Sequence, residues 1–179
     1  GSAQGAYEAF GKRYQAELKR HGIEVVLHPS AGSRENLRLL RDPNSDVQIA
    51  FVQGGATPSQ PTPEQEEQAE KMPLMSLGSM FYEPVWLFYR AEAAKKLNKQ
   101  GTIGEISQLR GLRVNTGVRG SGIPGVMNRL LEANLMNRDD IVRSNLDLTD
   151  AVVALLGGHL DVAAMVSAPE SPMVQMLMQ

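Results

Sequence analysis

The sequence predicts an α/β fold of two lobes with similar construction, and three observations lead to it. Apolar segments with helix and strand periodicity alternate along the chain, which is the pattern of a largely parallel sheet flanked by helices. Hydrophobic residues make up 42% of the 179 residues and charged residues 21%, which is enough for a folded core. The two halves also repeat one pattern, because Leu-Leu pairs at 39–40 and 155–156 precede Asp-Val pairs at 46–47 and 161–162.

The first half predicts the order helix, strand, helix, strand. Aromatic and leucine residues recur every three or four positions over residues 5–20, which indicates an amphipathic helix that Gly22 is suited to end. Residues 23–27 and 46–52 are short apolar runs with β-branched residues, so we expect two strands there. Ser33 stands where it can cap the helix between them.

Residues 53–72 interrupt this order. They are polar, contain prolines at 58, 61 and 63, and carry a run of Glu and Gln, so we expect an exposed excursion with a turn or two of helix. Residues 77–90 hold the single Trp and five of the nine aromatic residues. Within them, residues 85–89 predict a strand that Pro84 places at a start or an edge.

The second half repeats the alternation, with capping residues and glycines at the element boundaries. We first expect a short helix with a capping box at Thr102 and Glu105, then a strand at 112–116 and a glycine loop at 117–122. A helix with Pro124 in its first turn and a strand at 142–146 follow. The last expected elements are a helix capped by Asp147, a strand at 161–167 and a helix that opens at Pro172. The predicted organisation is a first lobe over 1–85, a crossing strand and connection over 86–109, and an incomplete second lobe over 110–179.

The composition excludes several classes of function. Lys and Arg total 18 against 20 Asp and Glu, a net charge of -2, which gives no general electrostatic attraction to nucleic acid or an anionic membrane. The absence of cysteine excludes disulfides, thiolate metal sites and thiol nucleophiles. No apolar run reaches the ~18 residues that span a bilayer. Gly1 and Ser2 are typical of a cloning remnant, so we expect that a natural signal peptide has been removed.

Two loops are the strongest candidates for a binding site. Residues 30–33 and 117–123 each follow a predicted strand and open a predicted helix. At the carboxyl ends of parallel strands, free N–H groups and the helix dipole favour an anionic group. Ser33 and Ser121 add hydroxyls, and Arg119 adds a guanidinium that can bind a carboxylate through two hydrogen bonds. Either loop alone fits an ordinary turn, but one in each half indicates a shared cleft between the lobes.

Other chemistry finds less support in the sequence. Residues 120–125 match the dinucleotide fingerprint G-x-G-x-x-G, but Pro124 lies inside the motif and no acidic residue ends the next predicted strand. Nucleotide binding therefore stays as a lesser alternative. The three histidines have no metal-ligand spacing, and the sequence contains no nucleophile elbow and no P-loop. We expect no catalytic residue, no metal and no cofactor.

Several longer motifs fall in an order that covers nearly the whole chain. They are SAGSRENLRLL at 30–40, DVQIAFVQ at 46–53, LGSMFYEPVWLFYR at 77–90, LRGLRV at 109–114, GSG at 120–122, ALLGG at 154–158, DVAA at 161–164 and SAPESPMVQ at 167–175. In their order and spacing, these motifs resemble those of the TAXI-type solute-binding proteins of TRAP transporters.

The resemblance implies a type II periplasmic-binding-protein fold, in which two α/β lobes close on a small solute. It also implies a periplasmic or extracytoplasmic protein, not an enzyme, that captures a small organic acid or amino acid. Such a protein delivers its small-molecule carboxylate to the membrane subunits of a TRAP-type transporter. By position, the implied ligand-binding residues are Ser30, Gly32 and Ser33 in the first lobe, Ser121 and Gly122 in the second, and Gln53, Gly54, Phe81 and Tyr82 near the hinge. Arg119 joins them because it flanks the glycine motif.

The chain also departs from the family pattern. Ile123 stands where the family often has Thr, which removes a hydroxyl from the implied pocket. The family begins with a strand before the first helix and continues past residue 179, so we expect a chain that lacks both ends, for which dimerisation is one way to hold the lobes. Two alternatives stay open: a ligand-sensing domain of the same fold in a signalling or regulatory protein, and an enzyme of this fold acting on thiamine-precursor-like compounds. The lack of cysteine and of a histidine cluster argues against the enzyme.

Overall fold

The computed structural model describes residue 1 and residues 5–57 and 61–179, so the part of the predicted excursion at 58–60 lies outside the described residues. The helices are α1 (Ala6–Arg20), α2 (Ser33–Arg41), α3 (Pro63–Lys71), α4 (Ala91–Leu97), α5 (Ile123–Ala133), α6 (Leu148–Leu156) and α7 (Pro172–Leu177). The strands are β1 (Val85–Tyr89), β2 (Arg113–Asn115), β3 (Val142–Ser144) and β4 (Val162–Val166), and short 3₁₀ helices span Ile106–Leu109 and Arg138–Asp140.

The strands form one mixed sheet in the order β1-β4-β2-β3. Both β3 and β4 run parallel to β2, whereas β1 pairs antiparallel with β4 from Val85 beside Val166 to Tyr89 beside Val162. Helix α5 connects β2 to β3 and α6 connects β3 to β4, which are the crossovers that parallel strands require. The predicted α/β class, with a mixed sheet flanked by helices, is confirmed.

Strand β4 lies in the centre of the core, because its side chains are buried on both faces of the sheet. Val162 and Ala164 pack in one apolar cluster with residues of α5, whereas Ala163 and Met165 pack in a second cluster with residues of α6 and α7. Successive residues of a strand point to opposite faces, so helices cover both sides of this strand. A strand buried in this way needs a continuous apolar run, which residues 162–166 provide.

The helix ends follow the capping chemistry that the sequence predicts. Gly22 closes α1 with a left-handed φ of 75°, and its N–H donates to the carbonyl of Lys19. The side chain of Asp147 accepts a hydrogen bond from the N–H of Asp150 at 2.9 Å and so caps α6. Pro124 and the first residue of α7 occupy first-turn positions, as expected. Among the described residues, no helix combines the length and the apolar character that a membrane crossing requires.

Two of the predicted strands are wrong. Residues 23–27 and 46–52 form no strand in the described structure, because neither has a neighbouring strand to bond with. Instead of strand-to-strand hydrogen bonds, each segment accepts a side-chain hydrogen bond. Gln15 donates to the carbonyl of Val25 at 2.7 Å, and Asn36 donates to the carbonyl of Phe51 at 2.8 Å. The apolar side chains of these segments remain largely in contact with solvent, with Val26 75% and Ile49 74% exposed.

Two predicted caps are also wrong. Gly32, not Ser33, is the N-cap of α2, because the Ser33 hydroxyl accepts the N–H of Gln53 instead of a helix N–H. The predicted box at Thr102 does not form. Glu105 itself is the N-cap of the first 3₁₀ helix, and Gln108 completes its capping box. The expected helix in the polar excursion is present as α3, which buries none of its residues.

An aromatic cluster attaches α1 to the segments that follow it. Tyr7 stacks on Phe51 with ring centroids 5.5 Å apart, and Phe10 stacks on Phe81 at 4.2 Å. Phe51 and Phe81 also meet, at 6.0 Å. Such contacts bury large apolar area without a strand ladder. They bring the first turn of α1 against residues 51–53 and 81–83, and this arrangement positions the site described next.

Candidate functional site

A cavity of about 90 Å³ lies where the loops before α2 and α5 meet the start of α1 and the end of β4. The first half contributes Tyr7, Ser33 and Glu83 to its lining, and the second half contributes Ser121 and Asp147. Pockets for drug-sized ligands occupy roughly 300 Å³ or more. In this conformation the cavity therefore has room for a small solute only.

The two predicted glycine loops touch each other beside this cavity. The N–H groups of Arg34 and Glu35 both donate to the carbonyl of Gly120, each at 3.1 Å. A Cβ at Gly120 would lie 2.7 Å from the Cβ of Ala31, and Gly32 has a φ of 132° that strongly favours glycine. The two backbones can approach this closely only because both loops carry glycine at the contact.

This contact uses two of the donors at the start of α2. The N–H groups of Arg34 and Glu35 are bonded to Gly120, so these two offer nothing to a ligand in this conformation. At α5, the N–H groups of Gly122 and Ile123 make no hydrogen bond within the described residues, and Pro124 has no N–H. The free N–H groups at the N-terminus of α5 can therefore bind an anionic group.

A chain of hydrogen bonds crosses the first-half side of the cavity. The N–H of Gln53 donates to Ser33 Oγ at 2.9 Å, and Ser33 Oγ lies 3.1 Å from Tyr7 Oη. Tyr7 in turn donates its hydroxyl hydrogen to Glu83 Oε2 at 2.8 Å. Because Tyr7 has a single hydroxyl hydrogen, Ser33 must be the donor in the contact between the two hydroxyls. The chain therefore runs in one direction and ends on a carboxylate.

Burial governs the electrostatics of this chain. It raises the pKa of Tyr7 and the pKa of Glu83, and the hydrogen bond from Tyr7 offsets part of the rise at Glu83. Asp147 also lines the cavity, and its side chain caps α6. Ser30 Oγ, beside the cavity, accepts a hydrogen bond from the nitrogen of Gly1 at 2.9 Å.

The structure brings some of the predicted site residues together and places others elsewhere. Those that line the cavity are Gly32, Ser33, Gln53, Ser121 and Gly122. Ser30 lies beside them, because it accepts from Gly1 and donates to Asn36. Four others do not line the cavity: Gly54 is exposed, Phe81 belongs to the aromatic cluster, Tyr82 is exposed, and Arg119 points to solvent.

Sequence reasoning missed the two residues at the end of the hydrogen-bond chain. Tyr7 appeared as part of the apolar face of a helix, and Glu83 appeared only inside an aromatic motif. They are 76 positions apart and meet only in the folded chain. The available indication was the placement of Glu83 between aromatic residues and Pro84, where a charged side chain is costly unless it has a partner.

The described residues contain no group of three or more His, Asp or Glu side chains placed to hold a metal ion. Hydroxyl, carboxyl and backbone N–H groups supply the polar contacts of the cavity, and these groups bind a solute through hydrogen bonds.

Residues 2–179 match the model of the NMT1-like family. Among solved structures, the periplasmic aliphatic sulphonate binding protein SsuA from Escherichia coli is similar at a TM-score of 0.41 and 21% identity, over 54% of this chain and 28% of that one. The alkanesulfonate-binding protein SsuA from Xanthomonas axonopodis pv. citri, bound to MOPS, is similar at 0.36 and 19%, over 48% and 31%. The match thus spans less than a third of either protein. No curated protein matches the sequence.

Proposed function

Because the chain belongs to the NMT1-like family, we propose that it is an extracytoplasmic solute-binding protein that captures a small organic acid or amino acid. One observation carries the proposal: the two glycine loops meet beside a cavity whose lining comes from both halves of the chain. A ligand in that cavity would contact both halves at once. Such a site favours a closed arrangement when it is filled.

The halves act as two lobes, over residues 1–85 and 110–179, with residues 86–109 as the connection. The bonds from α2 to the carbonyl of Gly120, and the bond from Arg129 to the carbonyl of Gly55, are among the contacts that must break when the lobes separate. Opening then admits the solute, and closure surrounds it. The N-terminus of α5 receives the carboxylate of the solute, because its N–H groups are free and its dipole favours negative charge.

The protein passes its solute to the membrane subunits of a TRAP-type transporter, as a TAXI-type binding protein. The order of the motifs over residues 30–53, 77–90 and 154–175 supports this assignment, because it resembles the pattern of those proteins. Its role is binding without chemical change. Ser33 donates its hydroxyl hydrogen to Tyr7 and Ser121 donates its own to the carbonyl of Val118, so neither serine is paired as a nucleophile with a histidine or carboxylate base.

The test combines ligand binding with a change at the loop contact. Isothermal titration calorimetry and thermal shift would screen the full chain against small carboxylates and amino acids. A bound ligand raises stability by about 2.7 kcal/mol at a hundredfold excess over its Kd. Gly120→Val puts a side chain where a Cβ already meets Ala31 at 2.7 Å, so we expect an affinity loss of about tenfold or more.

Gly104→Ala is the matched control, because a Cβ at Gly104 meets nothing within 4 Å. It should leave both affinity and melting temperature unchanged. If Gly120→Val bound every identified ligand as tightly as the unaltered chain, the meeting of the loops would have no part in binding and the proposal would fail.

A further inference from the structure

We propose that Glu83 selects solutes that carry a positively charged amino group, so that the ligand is an amino acid or a related amine-bearing acid and not a simple carboxylic acid. This inference rests on the proposed function, since it assigns chemistry to the same cavity. It makes Glu83 a specificity-determining residue. Three features of the cavity support it: the direction of the hydrogen-bond chain, the free oxygen of Glu83, and the charge of the lining.

The direction of the chain fixes what the first-half wall can offer. Ser33 has one hydroxyl hydrogen, and it is donated to Tyr7. Tyr7 has one as well, and it is donated to Glu83. Neither hydroxyl therefore has a hydrogen left for a ligand carboxylate. These two hydroxyls therefore offer a ligand acceptor capacity only, which suits a ligand that donates hydrogen bonds.

One oxygen of the Glu83 carboxylate is free to accept a hydrogen bond. Its Oε2 accepts from Tyr7, whereas its Oε1 has no hydrogen-bond partner within the described residues. Glu83 is half-buried and lines the cavity, so a ligand there could reach the free oxygen. A carboxylate removed from water in this way is costly unless it gains a charged partner. An ammonium group would supply both the charge and the donors.

The charge of the lining points the same way. Glu83 contributes a carboxyl group, the side chain of the lining residue Asp147 caps α6, and no lysine, arginine or histidine of the described residues lines the cavity. The nitrogen of Gly1 is turned to Ser30 Oγ. A ligand with a lone negative charge would meet the Glu83 carboxyl group here without a cationic side chain, whereas a zwitterion can place its ammonium on Glu83 and its carboxylate on the free N–H groups of α5.

The experiment compares ligands that differ in the amino group alone. Alanine and propionate form a small pair suited to a cavity of about 90 Å³, and glutamate and glutarate repeat the comparison for a longer solute. Titration calorimetry on the full chain would measure all four. The variant Glu83→Gln keeps an oxygen that can accept from Tyr7 but removes the charge. Glu66→Gln makes the same change on exposed α3 and serves as the control.

The expected result is that one or both amino acids bind at least about tenfold more tightly than the matched acid, as a desolvated charged hydrogen bond implies. Glu83→Gln should remove that preference by weakening the amino acid about tenfold, without weakening the simple acid. Its melting temperature should stay equal to or above that of the unaltered chain, since a buried charge is lost. A purely structural role of Glu83 would instead lower the affinity for both members of a pair.

Each contrary outcome has its own meaning. If, in every pair that binds, the simple acid bound as tightly as its amino acid, the inference would be wrong while the binding-protein function stood. The same holds if the preference survived in Glu83→Gln. If none of the four bound to the unaltered chain, the proposed function would fail for solutes of this class and the inference with it. The comparison on the unaltered chain decides the question even where Glu83→Gln does not fold.

Discussion

The Tyr7 hydroxyl connects the first helix to the only carboxyl that the first half places at the described cavity. It lies between Ser33 Oγ at 3.1 Å and Glu83 Oε2 at 2.8 Å. The ring itself stacks on Phe51. These two roles are separable, because phenylalanine keeps the ring and loses only the hydroxyl.

Tyr7→Phe should therefore weaken the polar chain without removing the aromatic contact. It leaves the Ser33 hydrogen without its acceptor and Glu83 without its donor, at a cost of about 1–3 kcal/mol in the free energy of unfolding. The hydrogen bond from Tyr7 lowers the pKa of Glu83, so its loss should raise that pKa further. Thermal denaturation and an NMR titration of the Glu83 carboxyl would measure the two effects.

Tyr14→Phe is the control for this change. Tyr14 is 39% exposed and its ring also lies near Phe51, at 6.0 Å, but its hydroxyl has no hydrogen-bond partner among the described residues. The control should change stability little. Equal losses in the two variants would show that the hydroxyl of Tyr7 contributes nothing specific.

Residues such as Tyr7 and Glu83 mark the limit of what the sequence predicts about the site. The glycines and serines of the loops are recognisable because a strand-to-helix turn needs small residues at fixed places. The partner of a lone buried carboxyl is a matter of tertiary distance. No local pattern relates position 7 to position 83, so their contact could not be predicted.

At the scale of elements, the boundaries of helices depend on nearby residues, whereas the formation of a strand depends on a partner strand. Helices α5 and α6 begin and end close to their predicted positions, because prolines, caps and glycines act within a few residues. A strand needs a neighbour for its N–H and C=O groups. Residues 161–167 have neighbours on both sides, whereas 23–27 and 46–52 have none, although all three runs are similarly apolar.

The start of strand β4 is tied to the start of β2 by an ion pair. Asp161 accepts from the backbone N–H of Arg113 at 2.9 Å, and from its Nε at 3.0 Å and Nη2 at 2.7 Å. These hydrogen bonds lower the pKa of Asp161 below its ordinary value. The unfolded chain therefore binds a proton more readily at this position than the folded chain does.

This difference makes the contribution of Asp161 to stability depend on pH. A depressed carboxyl pKa stabilises the fold above the ordinary pKa of aspartate, and the effect is lost as the pH falls through the folded value. We expect Asp161→Asn to lower the melting temperature at about pH 7, by an amount that shrinks towards about pH 3. Asp139→Asn, in the exposed part of the second 3₁₀ helix, is the control. A melting-temperature difference that stayed constant with pH would contradict the assignment.

At the scale of the whole molecule, the two halves are built differently. The sheet and both apolar clusters lie within residues 85–179. The first half instead holds its segments together by α1, the aromatic cluster and single side-chain hydrogen bonds to the backbone. Residues 72–82 of the first half also carry exposed apolar side chains, with Met75 87% and Leu77 82% exposed. The cavity lies where these two constructions meet.

Hydrogen exchange should report this difference directly. Backbone amides exchange slowly where a ladder and a buried core protect them, and quickly where local opening costs little free energy. We expect strand β4 to exchange most slowly, and residues 23–27, 46–52 and 72–82 to exchange within the first time points. Mass-spectrometric exchange on the full chain, resolved by peptide, would measure it.

A bound ligand supplies the second half of this test. If the cavity closes on a solute, the loops at 30–33 and 117–123 gain protection together, because each loop contacts the other and both border the ligand. Strand β4 should change little, since its ladder is already formed. Slow exchange at 23–27 and 46–52 without ligand would mean that these segments are paired as strands in solution. Protection confined to one loop would place the solute on one half and not between the two.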